Sequence, residues 1–543
     1  MAIFLEHRSL KFHSSTFQTD VDLSKVIYAF LIIIVIERIV AFQKACRAIN
    51  HLPGIRSPFS PLGAFGAILG TRWWQTGSDM VWLRKKDLYQ TNETISTVSW
   101  LYGSPMIYTT NMDVMKQFTS TSGLFVKSYE ATLGSTLYGP NVFSTDGTEW
   151  RKHRRVMGPA FSNSLYQMVW DESLKTYQDM VSAEGWSDKK TVDVPVTQVA
   201  TFKFALIVLG LCAFGFDFNW TEPAATTEGE MTVQEAMRTV IDNYLYLIFT
   251  PPWMKRLMPS FKRLQKAYDQ LGQFMKNQVQ VRREEIRGYA SGEYTRKDVF
   301  SMLVQANECE AGKNKLEDSD LIGNVFVMLF AGHETTANTL ATTLAFLSLH
   351  QDAQDEVVQQ IIEVVGYDRN PAFEDYNKLN KVLAAFYEAL RFFPAGYLML
   401  RVMGEDAVIP IPNPRGQEGT QPCPIPKGTW VVVDMVGVHR NPRYFEEPEK
   451  YKPSRWHGLP NDSEQFTAFS VGSRACIGRK FATTEAVCFL TMFLRDWKVE
   501  PLLRAGETVE GWKTRVLDAK IGFTLGIKDV PVRLIRRERP SRM

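Results

Sequence analysis

Residues 469–478 read FSVGSRACIG, with Cys476 in a short loop between Gly472 and Gly478 and Arg474 two residues before it. A disulfide needs a partner and a zinc site needs further ligands close by, and this loop supplies neither. A lone thiolate is a different case. The run CIGRKFATTEAVCFLTMFLRDW reads as a helix entered from the loop, so backbone N–H groups point toward the sulfur. With Arg474 beside it, the thiol is expected to have a depressed pKa. Glycines before and after it let a flat partner approach the backbone. One chemistry is thiolate ligation of the iron in a flat macrocycle. The other is a nucleophilic cysteine, which needs a histidine base that the local sequence does not offer.

A second unusual stretch is AGHETT, residues 331–336, in the middle of DSDLIGNVFVMLFAGHETTANTLATTLAFLSLH, residues 318–350. The pattern predicts one helix on the order of 45 Å long, apolar nearly all round and therefore core. Ser319 is expected to cap it, with Asp320 favourable in its first turn. Gly332 weakens such a helix, and the Thr335 hydroxyl can bond back to the backbone and bend it. Glu334 is costly there unless paired or facing water, which marks a site. HETTA does not complete the zinc motif H-E-x-x-H, because position 337 is alanine. Two further pairs lie on single helix faces: Glu388 and Arg391 in EALR, and Trp150 and Arg154 in WRKHR. Read alone, EALR is an ordinary helix salt bridge.

Together these stretches resemble the cytochrome P-450 family. Phe469, Gly472, Arg474, Cys476 and Gly478 fill every fixed position of its signature F-x-x-G-x-R-x-C-x-G. AGHETT, EALR, YKPSRW with Arg455, and WRKHR are similar to four more of its motifs, in the family's order, and the resemblance spans residues 50–535. It implies a mainly α fold with small β-sheets and a heme b cofactor with Cys476 as axial iron ligand. Phe469, Gly472 and Gly478 would shape the heme loop. Trp150, Arg154, Arg401 and Arg474 would reach the heme propionates, a task suited to the planar fork of arginine. Glu388, Arg391 and Arg455 would form a structural charge network that holds the cysteine loop. Glu334 and Thr335 would be the acid–alcohol pair that feeds protons to oxygen activation.

The implied activity is a monooxygenase that inserts one atom of O2 into a lipophilic substrate, with electrons from an NADPH-dependent reductase. A heme-thiolate isomerase or peroxygenase-like enzyme and a non-catalytic heme carrier are the alternatives. Glu334–Thr335 argues against the first, since such members tend to lose the pair, and a carrier would not need it. By resemblance the pocket is lined by the 125–138 loop beginning at Phe125, by Phe330 and Ala331, by Ala395 to Leu398, and by Ile521 to Phe523. The whole-chain texture resembles fungal members, many of which oxidise terpenoids and other secondary metabolites.

The elements that must position these groups are mostly helical from residue 145 to 395, with strand-like runs TWVVVDM and VPVRLI near the C-terminus. Residues 51–63, with three prolines, read as a semi-rigid linker or turn region, and 221–230 and 411–424 as surface loops. Residues 26–42, VIYAFLIIIVIERIVAF, are either a membrane anchor or a buried core helix. A full span takes about 20 apolar residues, so the anchor reading requires Glu37 and Arg38 at the membrane–water boundary. On that reading, residues 1–48 are tail and anchor and 49–543 a single large catalytic domain, on the cytoplasmic face of the endoplasmic reticulum membrane. The net charge of +3 leaves no basic footprint for nucleic acid. The six cysteines are scattered without a C-x-x-C pair, as in a reducing compartment.

Overall fold

The structure, a computed structural model, describes residues 23–538 apart from 121–122, 217, 222–230, 258, 289–295, 311, 461–465 and 523. The chain forms two compact units, residues 1–115 with 402–433, and residues 116–401 with 434–543.

In the first unit the apolar N-terminal run becomes the helix Leu23–Ala48. Its membrane-length stretch has mean hydropathy 2.2 and none of it is buried, which removes the core-helix reading. Arg38 and Glu37 pair with each other, and Arg38 Nη1 donates to the carbonyl of Leu101 at 3.0 Å. The helix then turns protein-bound, since Cys46 and Ile49 are buried. The proline-rich 51–63 stretch, expected as a linker or turn region, is turn at its ends and strand between them. It supplies the strand Gly54–Phe59, parallel to Thr94–Tyr102, with a register shift between Ser57 and Phe59. Pro58 sits at that shift on an edge strand, where a missing N–H is tolerated. Thr94–Tyr102 continues antiparallel to Met106–Thr109, which runs parallel to Trp430–Asp434. Residues 411–424 also differ from expectation, forming most of the hairpin Ala407–Pro412 and Thr420–Ile425, whose extended backbone suits its prolines. Of the expected loop 221–230, all but residue 221 lies outside the described residues.

The second unit is built around the helix Asp318–Leu349, buried along most of its length. Its N-cap is Glu317 rather than Ser319, and the Asp320 carboxylate accepts from the Glu317 N–H at 3.2 Å. Gly332 serves packing. A Cβ there would fall 2.9 Å from a methyl of Leu209, on the neighbouring buried helix Thr197–Phe214. The helices Asn380–Phe392 and Arg479–Asp496 also pack on the central helix. Val532–Arg536, the expected late strand, pairs with both Trp497–Pro501 and Thr191–Val194. A smaller hairpin joins Ala519–Ile521 to Leu525–Ile527.

Arg479–Asp496 carries a buried carboxyl at Glu485, whose Oε1 has no hydrogen-bond partner among the described residues. Burial pushes its pKa well above the ordinary value. The folded state therefore holds a proton that the unfolded chain releases, and stability falls as pH rises above about 4.3, the unfolded value. Glu485→Gln is expected to flatten the decline of Tm between about pH 5 and pH 8, read by thermal melts across that range. A parallel decline in the variant would rule out the assignment.

Candidate functional site

The cysteine loop closes on its own backbone. Cys476 N donates to Phe469 O at 2.8 Å, Ala475 N to Gly472 O at 3.0 Å, and Ser470 N to Thr467 O at 2.8 Å. Gly472 has φ +70°, a conformation that L side chains rarely adopt, although a Cβ there would meet nothing within 4 Å. At Gly478 an added Cβ would stand 3.9 Å from the Cys476 sulfur. Behind the loop, Phe466 stacks on Tyr387 at 4.0 Å, and the Arg479 guanidinium lies 5.6 Å from the Phe469 ring.

Cys476 is exposed, yet surrounding protein desolvates its thiol. A group with both properties faces an internal cleft. Burial pushes the thiol pKa up, against the sequence expectation. The N–H groups of Gly478 and Arg479 and the charges of Arg154 and Arg479 pull it down, but less strongly. Arg474, expected to act on the sulfur, is spent on an ion pair with Asp146 at 2.6 Å. Ala331 is exposed, with Gly332, Glu334 and Thr335 half-buried beside it, in the middle of a helix buried along most of its length.

The loop is braced by a buried charge network. Glu388 and Arg391 are both fully buried and joined twice, Nε to Oε2 at 3.0 Å and Nη2 to Oε1 at 2.9 Å. Arg455 Nε adds a contact to Glu388 Oε1 at 3.1 Å, and Trp456 Nε1 donates to Oε2 at 2.9 Å. Arg391 Nη1 reaches the carbonyls of His439 and Pro448 at 2.7 and 2.9 Å. Each polar atom desolvated here is answered by a partner, the condition under which buried charge is tolerated.

A second charge cluster is not balanced. Lys127, Arg401 and Arg474 repel one another, and the carboxylate acting on all three is Asp146. Asp146 stands at the N-cap of Gly147–Met157 but does not cap it with its side chain. Its oxygens accept from Arg474 Nη2 and, at 2.6 Å, from the Lys127 N–H. Arg474 lies 4.1 Å over the Trp150 ring and donates to Thr145 O at 2.9 Å. Desolvation pushes its pKa down to about 10 and holds Lys127 well below its usual range. Arg401 donates to Leu400 O at 2.8 Å. No described residue hydrogen-bonds the Arg154 guanidinium, which burial depresses while the charge of Cys476 acts the other way. Counted formally, three basic groups face one carboxylate among the described residues.

The cytochrome P-450 family profile matches residues 57–520, most of the chain. The chain belongs to the cytochrome P-450 family. A cytochrome P-450 monooxygenase of Postia placenta is 34% identical over 509 residues, covering 91% of this chain and 96% of that protein. One from Arthrobotrys oligospora is 27% identical, covering 75% of this chain and 77% of its own. The solved structure of the cytochrome P-450DA heme domain superposes with a TM-score of 0.68 at 21% identity, covering 90% of this chain and all of that one. The P-450 is thus an oxidoreductase of the monooxygenase family with a heme cofactor.

The residues present fit heme. Its two propionates would find an excess of basic groups in the Lys127–Arg401–Arg474–Asp146 cluster, and the Cys476 charge acts on Arg154 nearby. Lys127 and Asp146 escaped the sequence reading. Neither lies in a family motif quoted above, and only folding brings them to Arg474. Arg401→Leu is expected to leave the fold intact and weaken heme retention several-fold, read as the Soret-to-protein absorbance ratio after dilution. Unchanged retention would remove Arg401 from the cluster's function.

On the central helix Thr335 donates to the Ala331 carbonyl at 2.9 Å, the back-bond expected from sequence. Burial raises the Glu334 pKa, and a hydrogen bond from Thr524 lowers it. Among the residues expected to line a pocket, Phe125 is buried 4.9 Å from Phe118, and Phe330 meets Tyr244 edge-on at 5.1 Å. Ala395 is buried and Leu398 half-buried. Ile521 pairs with Leu525, and Phe523 lies outside the described residues.

Proposed function

We propose that this P-450 inserts one oxygen atom of O2 into a lipophilic substrate, and that Cys476 would hold the heme through its sulfur. The carrying observation is the exposed Cys476 in a loop beside the buried Glu388–Arg391–Arg455 network. Heme held through a thiolate supplies the activation of dioxygen. The substrate C–H becomes C–OH, the second oxygen leaves as water, and two electrons and two protons enter. The electrons come from NADPH through a separate reductase. Trp150, Arg154, Arg401 and Arg474 orient the propionates, while Phe469, Gly472 and Gly478 shape the loop. Glu334 holds a proton at its carboxyl, and the Thr335 hydroxyl passes it on. Phe125, Phe330, Ala331, Ala395 and Leu398 give the substrate an apolar wall. By resemblance to fungal members of the family, the substrate is a terpenoid or another secondary metabolite. The test is a product screen in cells co-expressing the reductase and fed lipophilic candidates. Turnover that continues without the reductase would favour an isomerase or peroxygenase instead.

Thr335→Ala is expected to keep NADPH oxidation within about twofold while product per NADPH falls roughly tenfold and hydrogen peroxide takes its place. An unchanged ratio would remove Thr335 from proton delivery.

The exposed Leu23–Ala48 helix supports anchorage in a membrane, and by resemblance that membrane is the endoplasmic reticulum's, with the catalytic region on the cytoplasmic side. Residues 1–48 are tail and anchor on this reading, and 49–543 the heme-thiolate region. Deleting residues 1–36 spares the Arg38–Leu101 contact and buried Cys46. The truncated chain should carry full heme and shift substantially from the membrane pellet to the supernatant. Residual binding would point to the 244–259 stretch, which exposes Leu245, Tyr246 and Trp253. Loss of heme would show that the segment serves the fold.

A further inference from the structure

The Glu334 carboxyl is tied to a distant part of the chain. Thr524 Oγ1 donates to Glu334 Oε1 at 2.6 Å. Thr524 is buried, in the turn between Ala519–Ile521 and Leu525–Ile527. A hydroxyl has one proton to give and two lone pairs to accept with. Asn338 Nδ2, one turn along the central helix, approaches the same Oγ1 at 3.4 Å as a donor. That occupies an acceptor site and leaves the hydroxyl proton directed at Glu334. The hairpin is itself fixed, with Leu525 N on the Ala395 carbonyl at 3.0 Å and Gly522 N on Thr524 O at 3.0 Å. Gly526 lies so close to Asn338 that a Cβ would fall 2.9 Å from its Nδ2.

We propose that Thr524 is the positioning residue for Glu334: it sets the orientation of the carboxyl from which protons are delivered, and makes that orientation depend on the 519–527 hairpin. This rests on the role given to Glu334 above. Ala395, which holds the hairpin, and Ile521 within it both belong to the segments expected to contact substrate. A substrate that displaces the hairpin therefore shifts the acid as well. Charged and titratable neighbours on each side are Lys520 of the hairpin, Asp242 at the end of Val233–Asp242, Tyr244, and His333 on the central helix itself. Burial raises the Glu334 pKa, while Thr524 and Lys520 lower it. Loss of the hydroxyl therefore leaves the carboxyl more readily protonated and free to rotate.

The experiment uses full-length heme-loaded protein. Infrared titration of the resting enzyme, with Glu334→Gln subtracted to identify the band, gives the midpoint of the Glu334 carboxyl. Product per NADPH and its solvent isotope effect are measured alongside. Thr524→Val, equal in size but without a donor, should raise the midpoint by on the order of one pH unit. It should lower product per NADPH several-fold and enlarge the isotope effect. Thr524→Ser should restore all three to within about twofold of wild type. If the valine variant loses heme, Thr524→Cys, a weak donor of similar size, takes its place with the same expected outcomes. An unchanged midpoint and ratio in the donor-poor variant overturn the proposal. A fully coupled Glu334→Gln enzyme would instead overturn the role of Glu334, whatever Thr524 does. An uncoupled Glu334→Gln beside a coupled Thr524→Val sinks only the role of Thr524.

Discussion

Cys476→Ala is expected to abolish monooxygenase activity and the thiolate-type Soret shift of the reduced, carbon monoxide-treated protein. The loop geometry should survive, because it depends on backbone bonds from Cys476 N, Ala475 N and Ser470 N that alanine leaves in place. What disappears is the sulfur facing the cleft beside Gly478, with the N–H groups of Gly478 and Arg479 and the charge of Arg154 arranged around it. Alanine offers no ligand, so any retained heme would be held by the cationic cluster and apolar walls alone. The check is the reduced carbon monoxide difference spectrum on a variant whose circular dichroism matches wild type. A surviving thiolate-type spectrum would falsify the assignment, and another cysteine would have to be the ligand.

Arg391→Leu is expected to prevent accumulation of folded, heme-loaded protein. Arg391 and Glu388 are both fully buried, and Arg391 also holds the carbonyls of His439, Pro448 and Lys450. Removing one partner of a buried pair costs about 3–5 kcal/mol, here through the lost two-pronged contact to Glu388 and three carbonyls left without their donor. Net stabilities of about 5–15 kcal/mol leave little beyond that loss. Arg455 and Trp456 still reach Glu388 in the variant, but the carbonyls lose their donor. Arg391→Lys should fail nearly as badly, since an ammonium cannot make the two-pronged contact and span three carbonyls together. Soluble yield, Soret-to-protein ratio and Tm are the readouts. A variant with normal heme loading and a Tm within a few degrees of wild type would show that the network is not what braces the loop.

Local pattern was enough for the elements that carry the chemistry. Hydrophobic periodicity marked the long core helix to within a residue at each end, and the polar AGHETT interruption stood out because burial makes such residues costly. The Glu388–Arg391 pair was legible as a same-face pair, since helix geometry fixes i,i+3 neighbours without reference to the rest of the fold. The loop glycines and Cys476 were legible for the same reason, their conformational needs being local. Prolines misled in residues 51–63 and 411–424, because local chemistry marks where a chain resists regular structure but not whether an edge strand or hairpin accommodates it. Tertiary structure alone decided the environments. It raised the thiol pKa by desolvation, which depends on neighbours far along the chain, and diverted Arg474 to Asp146. It gathered Lys127 with Arg401 and Arg474 into a cluster whose excess charge no single segment reveals. It set Thr524 against Glu334 across 190 positions of sequence. Electrostatics and hydrogen bonding act through space over a few ångströms, so they are settled only once packing brings distant segments together.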